Sequence, residues 1–223
     1  MRYKSIFEIM GPVMVGPSSS HTAGAVKIGQ IARNIFGGDW YRADITFFGS
    51  FAHTYKGHGT DIAVTGGLMG WETFDARIPD SLVTAADHGL QINLASSEDF
   101  VEHPNTVNIR IYYPHGREQQ LTGVSVGGGA VDIINIDGFP VHLSGELPTL
   151  LVSNRDVHGC VAEVSRVLSD ARINMATMQL ARRDKGQQAL MVIETDEQVP
   201  EAVLEQVRCL NNILRVTIFA NRS

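Results

Sequence analysis

The first part of the chain has a hydrophobic pattern that predicts helices early and a sheet late. Apolar residues recur at helical spacing over residues 22–36, and Gly37-Gly38 then ends the run, as glycines often do at helix C-termini. A buried strand is predicted over 43–51 and a second helix over 61–71. Further along, alternating apolar residues predict strands over 89–96, 106–113, 119–127 and 130–138. The expected fold class is therefore mixed α/β (α+β).

The residues from 148 onward carry a second pattern that is complete in itself. Strands are predicted over 148–154, 173–182, 188–195 and 214–220, and helices over 159–171 and 200–213. The order βαββαβ is the split βαβ, or ferredoxin-like, arrangement, for which about 75 residues is a natural size. A short linker is expected near Leu143 to Pro148, so two domains are predicted, over 1–145 and 148–223.

The overall charge argues against nucleic-acid and anionic-lipid partners. The chain has 18 Lys and Arg against 24 Asp and Glu, a net charge of −6, whereas an unspecific grip on nucleic acid or anionic lipid needs a basic surface. The N-terminus lacks the apolar core of a secretory signal, and no stretch approaches the roughly 18 uninterrupted apolar residues that span a bilayer. We therefore expect a cytoplasmic protein with no nucleic-acid or membrane partner.

Cysteine is scarce in this sequence, where Cys160 and Cys209 are the two present. This count excludes a disulfide framework beyond one bridge and a self-contained zinc or iron–sulfur site with four cysteines. The histidines outside the motifs described next show no metal-ligand spacing, so no residue of this chain is predicted to ligate a metal. A thiol enzyme using Cys160, which opens a predicted helix, is a minor alternative because no base adjoins it in sequence.

A row of hydroxyl side chains precedes the first helix, within residues 16–24. The row comprises Ser18, Ser19, Ser20 and Thr22, with His21 among them. A helix N-terminus offers free N–H groups and the positive end of the helix dipole, which suits a carboxylate or a phosphate. Two interpretations stay open, an anion site and an ordinary N-cap with spare serines. Nucleotide binding is not expected, because no lysine follows the glycines as in a Walker loop.

A histidine flanked by glycines lies between the predicted strand and the second helix. Gly57 and Gly59 flank His58 and permit close approach of a ligand, and Asp61 is near enough in sequence to orient an imidazole. Loops that follow a strand and precede a helix are where open α/β sheets expose functional residues. Either a catalytic histidine or a glycine-rich turn with a solvated histidine is compatible with this segment.

The βαββαβ unit has a candidate loop of its own. Asp156 and Gly159 end its first strand, and Asn174 precedes its second. Glycine at a helix N-terminus permits close approach of a small ligand, and an asparagine amide supplies paired hydrogen bonds. A loop that simply turns the chain is the alternative, and the exposed edge and face of a small sheet also suit self-association.

At these motifs the chain resembles the β subunits of two-chain, iron–sulfur-dependent L-serine dehydratases. The resemblance is carried by GPSSSHTAGA, by FFGSFAHTYKGHGTD and by a C-terminal unit similar to an ACT domain, and it covers almost the whole chain. The N-terminal domain is also similar to the allosteric substrate-binding domain of some phosphoglycerate dehydrogenases.

The resemblance implies a division of labour between two chains. A separate α subunit is expected to hold a [4Fe-4S] cluster whose open iron acts as a Lewis acid on the serine hydroxyl, while a base removes the Cα proton. Elimination of water gives aminoacrylate, which tautomerises and hydrolyses to pyruvate and ammonia. The resemblance places the substrate carboxylate at Ser18 to Thr22, near His21. It makes His58 the proton-transfer residue, as base or acid, held by Gly57, Gly59, Thr60 and Asp61.

One departure from the family pattern concerns the ACT-like unit. Many ligand-binding ACT domains have a proline before the loop glycine, whereas His158 stands before Gly159 here. Dimerisation is therefore the expected role of this unit, in preference to amino-acid binding. The alternative function for the whole chain is a non-catalytic, amino-acid-sensing regulatory subunit that acts through the ACT-like unit.

Overall fold

A computed structural model describes residues 12–219, and the chain divides into two compact units, Met1–Asp137 (unit 1) and Gly138–Ser223 (unit 2). The division precedes the boundary expected near residue 145. In unit 2 the His142 N–H donates to Gln179 Oε1, and the Gln179 amide donates to the His142 carbonyl oxygen. Residues 1–11, and residue 220 at the end of the last predicted strand, lie outside the described residues.

Unit 1 combines helices with a mixed sheet. Its helices are α1 (Gly24–Phe36), α2 (Gly49–Thr54), α3 (Thr60–Leu68) and α4 (Ser81–Asp87). Its strands are β1 (Arg42–Phe48), β2 (Gln91–Ser97), β3 (Asn105–Tyr112), β4 (Glu118–Gly127) and β5 (Ala130–Ile136). They lie in the order β2-β1-β3-β4-β5, with β2 parallel to β1 and the other neighbours antiparallel. The predicted mixed α/β class is confirmed.

The core face of this sheet follows the predicted alternation. Every second residue of the central strands is fully buried, namely Ala43, Ile45, Phe47, Val107, Ile109 and Ile111. The intervening positions of β1 include Asp44, which forms an ion pair with Arg42. One face of the sheet is therefore apolar and the other polar, as period-2 patterning requires.

The structure corrects the predicted strand over 43–51. β1 ends at Phe48, and Gly49 begins α2 with a φ of +56°. A Cβ on Gly49 would lie 2.6 Å from the carbonyl oxygen of Pro104, so this bend requires glycine. The helix α4 is not predicted by the hydrophobic pattern, because it buries few positions, namely Ser81 and Ala85.

Two glycines let α1 and α3 pack at close range. A Cβ on Gly29 would lie 2.3 Å from the Val64 carbonyl oxygen, and one on Gly67 would lie 2.1 Å from that of Val26. Larger residues at either position would force the helices apart. This contact fixes the relation between the two helices whose starts carry the candidate motifs.

Unit 2 contains the predicted βαββαβ fold. Its elements are β6 (Phe139–Leu143), β7 (Thr149–Arg155), α5 (Cys160–Asp170), β8 (Met175–Arg182), β9 (Gln188–Thr195), α6 (Glu201–Arg208) and β10 (Ile213–Phe219). The antiparallel sheet has the order β10-β7-β9-β8. Both helices bury one apolar stripe against it, Val164 and Leu168 from α5 and Val203, Leu204 and Val207 from α6.

Candidate active site

Ser18 begins the helical segment that carries the hydroxyl row. Its backbone is extended, its Oγ accepts the His21 N–H at 3.2 Å, and its carbonyl oxygen accepts the Thr22 N–H at 2.8 Å. A π-helical turn, Ser19–Ala23, then leads into α1. Ser18 is thus the N-cap, and the other hydroxyls of the row are not needed for capping.

The His21 imidazole has serine hydroxyls at both of its nitrogens. Its Nδ1 lies 3.0 Å from Ser20 Oγ and 3.4 Å from Ser18 Oγ, and these two hydroxyl oxygens are 3.3 Å apart. Its Nε2 lies 3.2 Å from Ser50 Oγ. The ring therefore joins the hydroxyl row to the start of α2.

Ser50 is a further residue of the site that the sequence pattern does not predict. It lies within the FFGSFAHTYKGHGTD segment, directly after Gly49, where the pattern predicts the interior of a strand. A glycine followed by a small polar residue at the end of a buried strand is the signal that could have indicated it.

The two histidines of the separate motifs meet in the structure. The rings of His21 and His58 lie edge to face, with centroids 4.8 Å apart and planes at 90°. Phe51 packs on His21 in a second edge contact, with a centroid distance of 5.1 Å. Burial and, second, the nearby His58 ring lower the pKa of His21 below 6.5, which favours the neutral imidazole.

Thr22 links the two motifs through the backbone. It is 2% exposed, and its Oγ1 donates to the His58 carbonyl oxygen at 3.3 Å. A Cβ on Gly16 would lie 2.5 Å from Thr22 Cγ2, so glycine at position 16 leaves room for this side chain. Thr22 therefore holds the His58 loop from inside.

The loop around His58 differs in part from expectation. Gly59 adopts a left-handed φ of +66° before α3, and Gly57 is exposed. Thr60 is fully buried, and its N–H donates to the Tyr55 carbonyl oxygen. The Asp61 carboxylate accepts the Ile62 N–H at 2.9 Å and makes no hydrogen bond to the His58 ring.

The His58 ring nitrogens have unequal surroundings. Nδ1 is enclosed, and no residue within 12–219 gives it a hydrogen bond. The residue as a whole is partly exposed, and Nε2 is not among its enclosed, unpartnered atoms.

The candidate residues of unit 2 are engaged in separate contacts. Asp156 accepts the Gly186 N–H at 2.9 Å and pairs with Arg182, and these contacts lower the pKa of Asp156. The Asn174 amide donates to Asp196 at 2.6 Å. Gly159 caps α5 with a φ of +95°. The structure does not bring the three residues to one common hydrogen-bonded site.

No three His, Cys, Asp or Glu side chains between residues 12 and 219 converge as a metal site. Cys160 is buried in unit 2, where its Sγ donates to the Arg155 carbonyl oxygen, and Cys209 is exposed. These residues do not fit the ligand set of an iron–sulfur cluster.

Comparison with known proteins agrees with these motifs. The family model described as the serine dehydratase beta chain matches residues 5–100, which contain both histidine motifs. A probable L-serine dehydratase beta chain of Bacillus subtilis is 46% identical over 99% of this chain and 100% of its own length. The chain belongs to the L-serine dehydratase beta-chain family. The resemblance drawn from the motifs is thereby confirmed.

A second beta chain, an ACT-domain family model and a dehydrogenase also match this chain. The L-serine dehydratase beta chain of Peptoniphilus asaccharolyticus is 39% identical over 89% of this chain and 90% of its own. The ACT-domain family model matches residues 148–208, within unit 2. A D-3-phosphoglycerate dehydrogenase of Synechocystis is 20% identical over 82% of this chain and 33% of its own.

Membership in this beta-chain family is compatible with an iron–sulfur cofactor and with a partner chain. Across residues 12–219, no helix is both long and apolar enough to cross a membrane.

Proposed function

We propose that this chain is the beta chain of an L-serine dehydratase, a lyase that converts L-serine to pyruvate and ammonia. The identity to the B. subtilis beta chain over the whole length is the observation that carries the proposal. Elimination of water from serine leaves aminoacrylate, which tautomerises and hydrolyses to the two products. The meeting of His21 and His58 supplies the place for this chemistry.

The substrate carboxylate binds at the start of the π-helical turn. Ser18 and Ser20 contact His21, and Thr22 contacts the His58 backbone, whereas the Ser19 hydroxyl has no hydrogen-bond partner among the described residues. The first N–H groups of a helix are unpaired and lie at the positive end of its dipole. Ser18 already accepts the N–H groups of His21 and Thr22. The Ser19 hydroxyl and the N–H groups of Ser19 and Ser20 therefore receive the carboxylate, while the other hydroxyls hold the histidines.

His58 transfers a proton at the substrate. Its enclosed Nδ1 leaves Nε2 as the nitrogen that a substrate can reach. No carboxylate of the described chain contacts the His21 ring, whose neutral form is favoured by burial. A neutral imidazole accepts a proton from Cα, and an imidazolium donates one to the departing hydroxyl.

A separate alpha chain ligates a [4Fe-4S] cluster in this proposal. The residues of the beta chain do not fit a cluster, because both cysteines lie in unit 2 and the described residues contain no converging ligand set. The word "beta" in the names of the relatives supports the existence of a partner. The two free thiols fit the expected reducing cytoplasm.

Reconstitution tests the division of labour. The beta chain and its alpha partner are purified separately and together under anaerobic conditions, and pyruvate formation from L-serine is measured. We expect a colourless, inactive beta chain and a brown, active pair. Full activity of the beta chain alone would contradict the proposal.

A matched pair of histidine variants tests the role of His58. In the reconstituted pair, His58→Ala should lower turnover about 10²- to 10⁴-fold, the range for loss of a general acid or base, with the cluster absorbance unchanged. His88→Ala is the control, because His88 is exposed and contacts the Thr84 carbonyl oxygen of its own helix. With Cα-deuterated serine, loss of deuterium wash-out in His58→Ala identifies His58 as the base.

Unit 2 mediates self-association in this proposal. The strands β8 and β10 flank the sheet and carry exposed apolar side chains, Leu180 at 51% and Leu214 at 45%. Asn174 is already bonded to Asp196, which disfavours its use for an amino-acid ligand. Light scattering should show a smaller assembly for Leu180→Glu but not for Val83→Glu, an exposed control in unit 1. Calorimetric binding of serine to the beta chain alone would instead favour the sensor alternative.

A further inference from the structure

Ser50 is the one hydrogen-bond partner of the His21 Nε2 atom among the described residues. The two atoms are 3.2 Å apart, and Ser50 comes from α2, not from the hydroxyl row that surrounds Nδ1. A neutral imidazole donates at one ring nitrogen and accepts at the other. The serines around His21 therefore determine which nitrogen carries the proton.

The hydroxyl row gives this network a direction. Ser18 Oγ accepts the His21 N–H, lies 3.3 Å from Ser20 Oγ, and Ser20 Oγ lies 3.0 Å from Nδ1. When Ser18 donates to Ser20 and Ser20 donates to Nδ1, both hydroxyl protons are used, and Nε2 carries the ring proton. In the opposite direction Ser50 donates to Nε2 and the Ser18 proton is left without an acceptor within the described residues, so each direction leaves one hydroxyl proton free. The first direction is favoured because two hydroxyls can donate to Nδ1, Ser20 at 3.0 Å and Ser18 at 3.4 Å, whereas Nε2 has one hydroxyl beside it.

We propose that Ser50 is a positioning residue that accepts the Nε2 proton of His21 and so fixes both the tautomer and the orientation of this ring against His58. In this arrangement the Ser50 hydroxyl proton is left free. Chains of hydrogen bonds polarise one another, so the Ser18, Ser20, His21 and Ser50 groups act as one unit.

The backbone holds Ser50 firmly enough for this role. Its N–H donates to the Pro104 carbonyl oxygen at 2.7 Å, and its carbonyl oxygen accepts the Thr54 hydroxyl at 2.7 Å. Gly49 permits the sharp bend that precedes it, where a Cβ would meet Pro104. The Ser50 backbone, from which the hydroxyl reaches His21, is therefore held on both sides of the residue.

Nitrogen NMR on the full chain tests the proposal directly. Ring-¹⁵N-histidine labelling reports which nitrogen of His21 is protonated, and His21→Gln identifies its signals. We expect a single Nε2–H tautomer in the native chain, a mixture of tautomers in Ser50→Ala, and return of the Nε2–H form in Ser50→Thr. Ser81→Ala is the control, because it removes a buried hydroxyl bond of 2.7 Å to the Ile62 carbonyl oxygen without touching His21.

Kinetics of the reconstituted pair give a second measurement, which alone rests on the proposed function. Ser50→Ala should lower kcat about tenfold, the effect of one hydrogen bond, and leave KM within about twofold because Ser50 contacts His21 and not the substrate. An Nδ1–H tautomer in the native chain, or an unchanged His21 spectrum in Ser50→Ala, would overturn the proposal. If the pair with the native beta chain is inactive, the proposed function is refuted, and the NMR spectra still decide the role of Ser50. Should Ser50→Ala fail to fold, the native and Ser50→Thr spectra decide it.

Discussion

The His58 ring stands perpendicular to the His21 ring, with the two centroids 4.8 Å apart. This relationship joins a histidine of the π-helical turn before α1 to a histidine of the loop before α3. Two cationic rings at this separation repel each other, so the charge of His58 disfavours protonation of His21. Their electrostatic coupling is measurable in the chain without any partner or substrate.

Removal of the His58 ring should raise the pKa of His21. His58→Ala deletes the like charge and opens one side of His21 to water, and burial and this charge are the two causes that lower the pKa in the native chain. An NMR titration of the His21 ring protons measures the change. His88→Ala serves as the control and should leave the His21 titration where it is, and an unchanged His21 pKa in His58→Ala would refute the coupling.

The lowered pKa of His21 predicts a dependence of stability on pH. Between the folded-state pKa and the unfolded value near 6.5, the unfolded chain binds more protons, so the free energy of unfolding rises with pH in this window. The loss of stability caused by the lowered His21 pKa is absent above about pH 6.5 and complete below the folded-state pKa. Urea unfolding at several pH values, compared with His21→Gln, measures this contribution.

The His21→Gln chain should lose the part of the slope that belongs to His21. The titrating groups other than His58 keep the same surroundings in both chains, so the difference between the two curves reports His21 together with its contact to His58. A steeper dependence in His21→Gln than in the native chain would contradict the predicted sign.

The glycine contact between α1 and α3 predicts a large difference between two neighbouring substitutions. Gly67→Ala would place a Cβ 2.1 Å from the Val26 carbonyl oxygen, and such overpacking costs about 1–3 kcal/mol. A Cβ at Gly66 would meet side-chain atoms at longer range, Ile78 Cγ1 at 3.2 Å and Trp71 Cε3 at 3.4 Å, and Gly66→Ala gains up to about 1 kcal/mol of helix propensity. Thermal unfolding should show a clear loss for Gly67→Ala and little change for Gly66→Ala, and equal losses would argue against the close packing.

The parts of the fold that depend on periodic burial were predictable from the sequence. Val164 and Leu168 show the helical spacing of α5, and the alternation in β3 indicates a strand that buries one face. β9 is instead buried at every position from Ala189 to Thr195, as a central strand covered on both faces is. The bend at Gly49 was not predictable, because FFGSF reads as one apolar run and the opposing Pro104 carbonyl is distant in sequence.

The two histidine motifs of the candidate site were predictable, but Ser50 and the contacts between the motifs were not. His21 and His58 stood out by their glycine and hydroxyl neighbours, whereas the Ser50 contact depends on the fold of α2. Asp61 illustrates the converse, since sequence proximity to His58 suggested a contact that the start of α3 uses for the Ile62 N–H instead. Local sequence therefore indicated the chemistry, and tertiary packing determined the partners.

The two cysteines should differ sharply in reactivity. Cys160 is 3% exposed within the apolar core of unit 2, and Cys209 is exposed, so a thiol reagent should label Cys209 in the native chain and both residues after unfolding. Mass spectrometry of the alkylated chain measures this, with Cys209→Ser as the control that should remain unlabelled when folded.

In the reconstituted pair, Cys160→Ala should keep turnover within about twofold, because a buried thiol bonded to the Arg155 carbonyl oxygen cannot reach a substrate. Loss of turnover with a stable fold would revive the thiol-enzyme alternative, in which Cys160 rather than His58 carries the reaction.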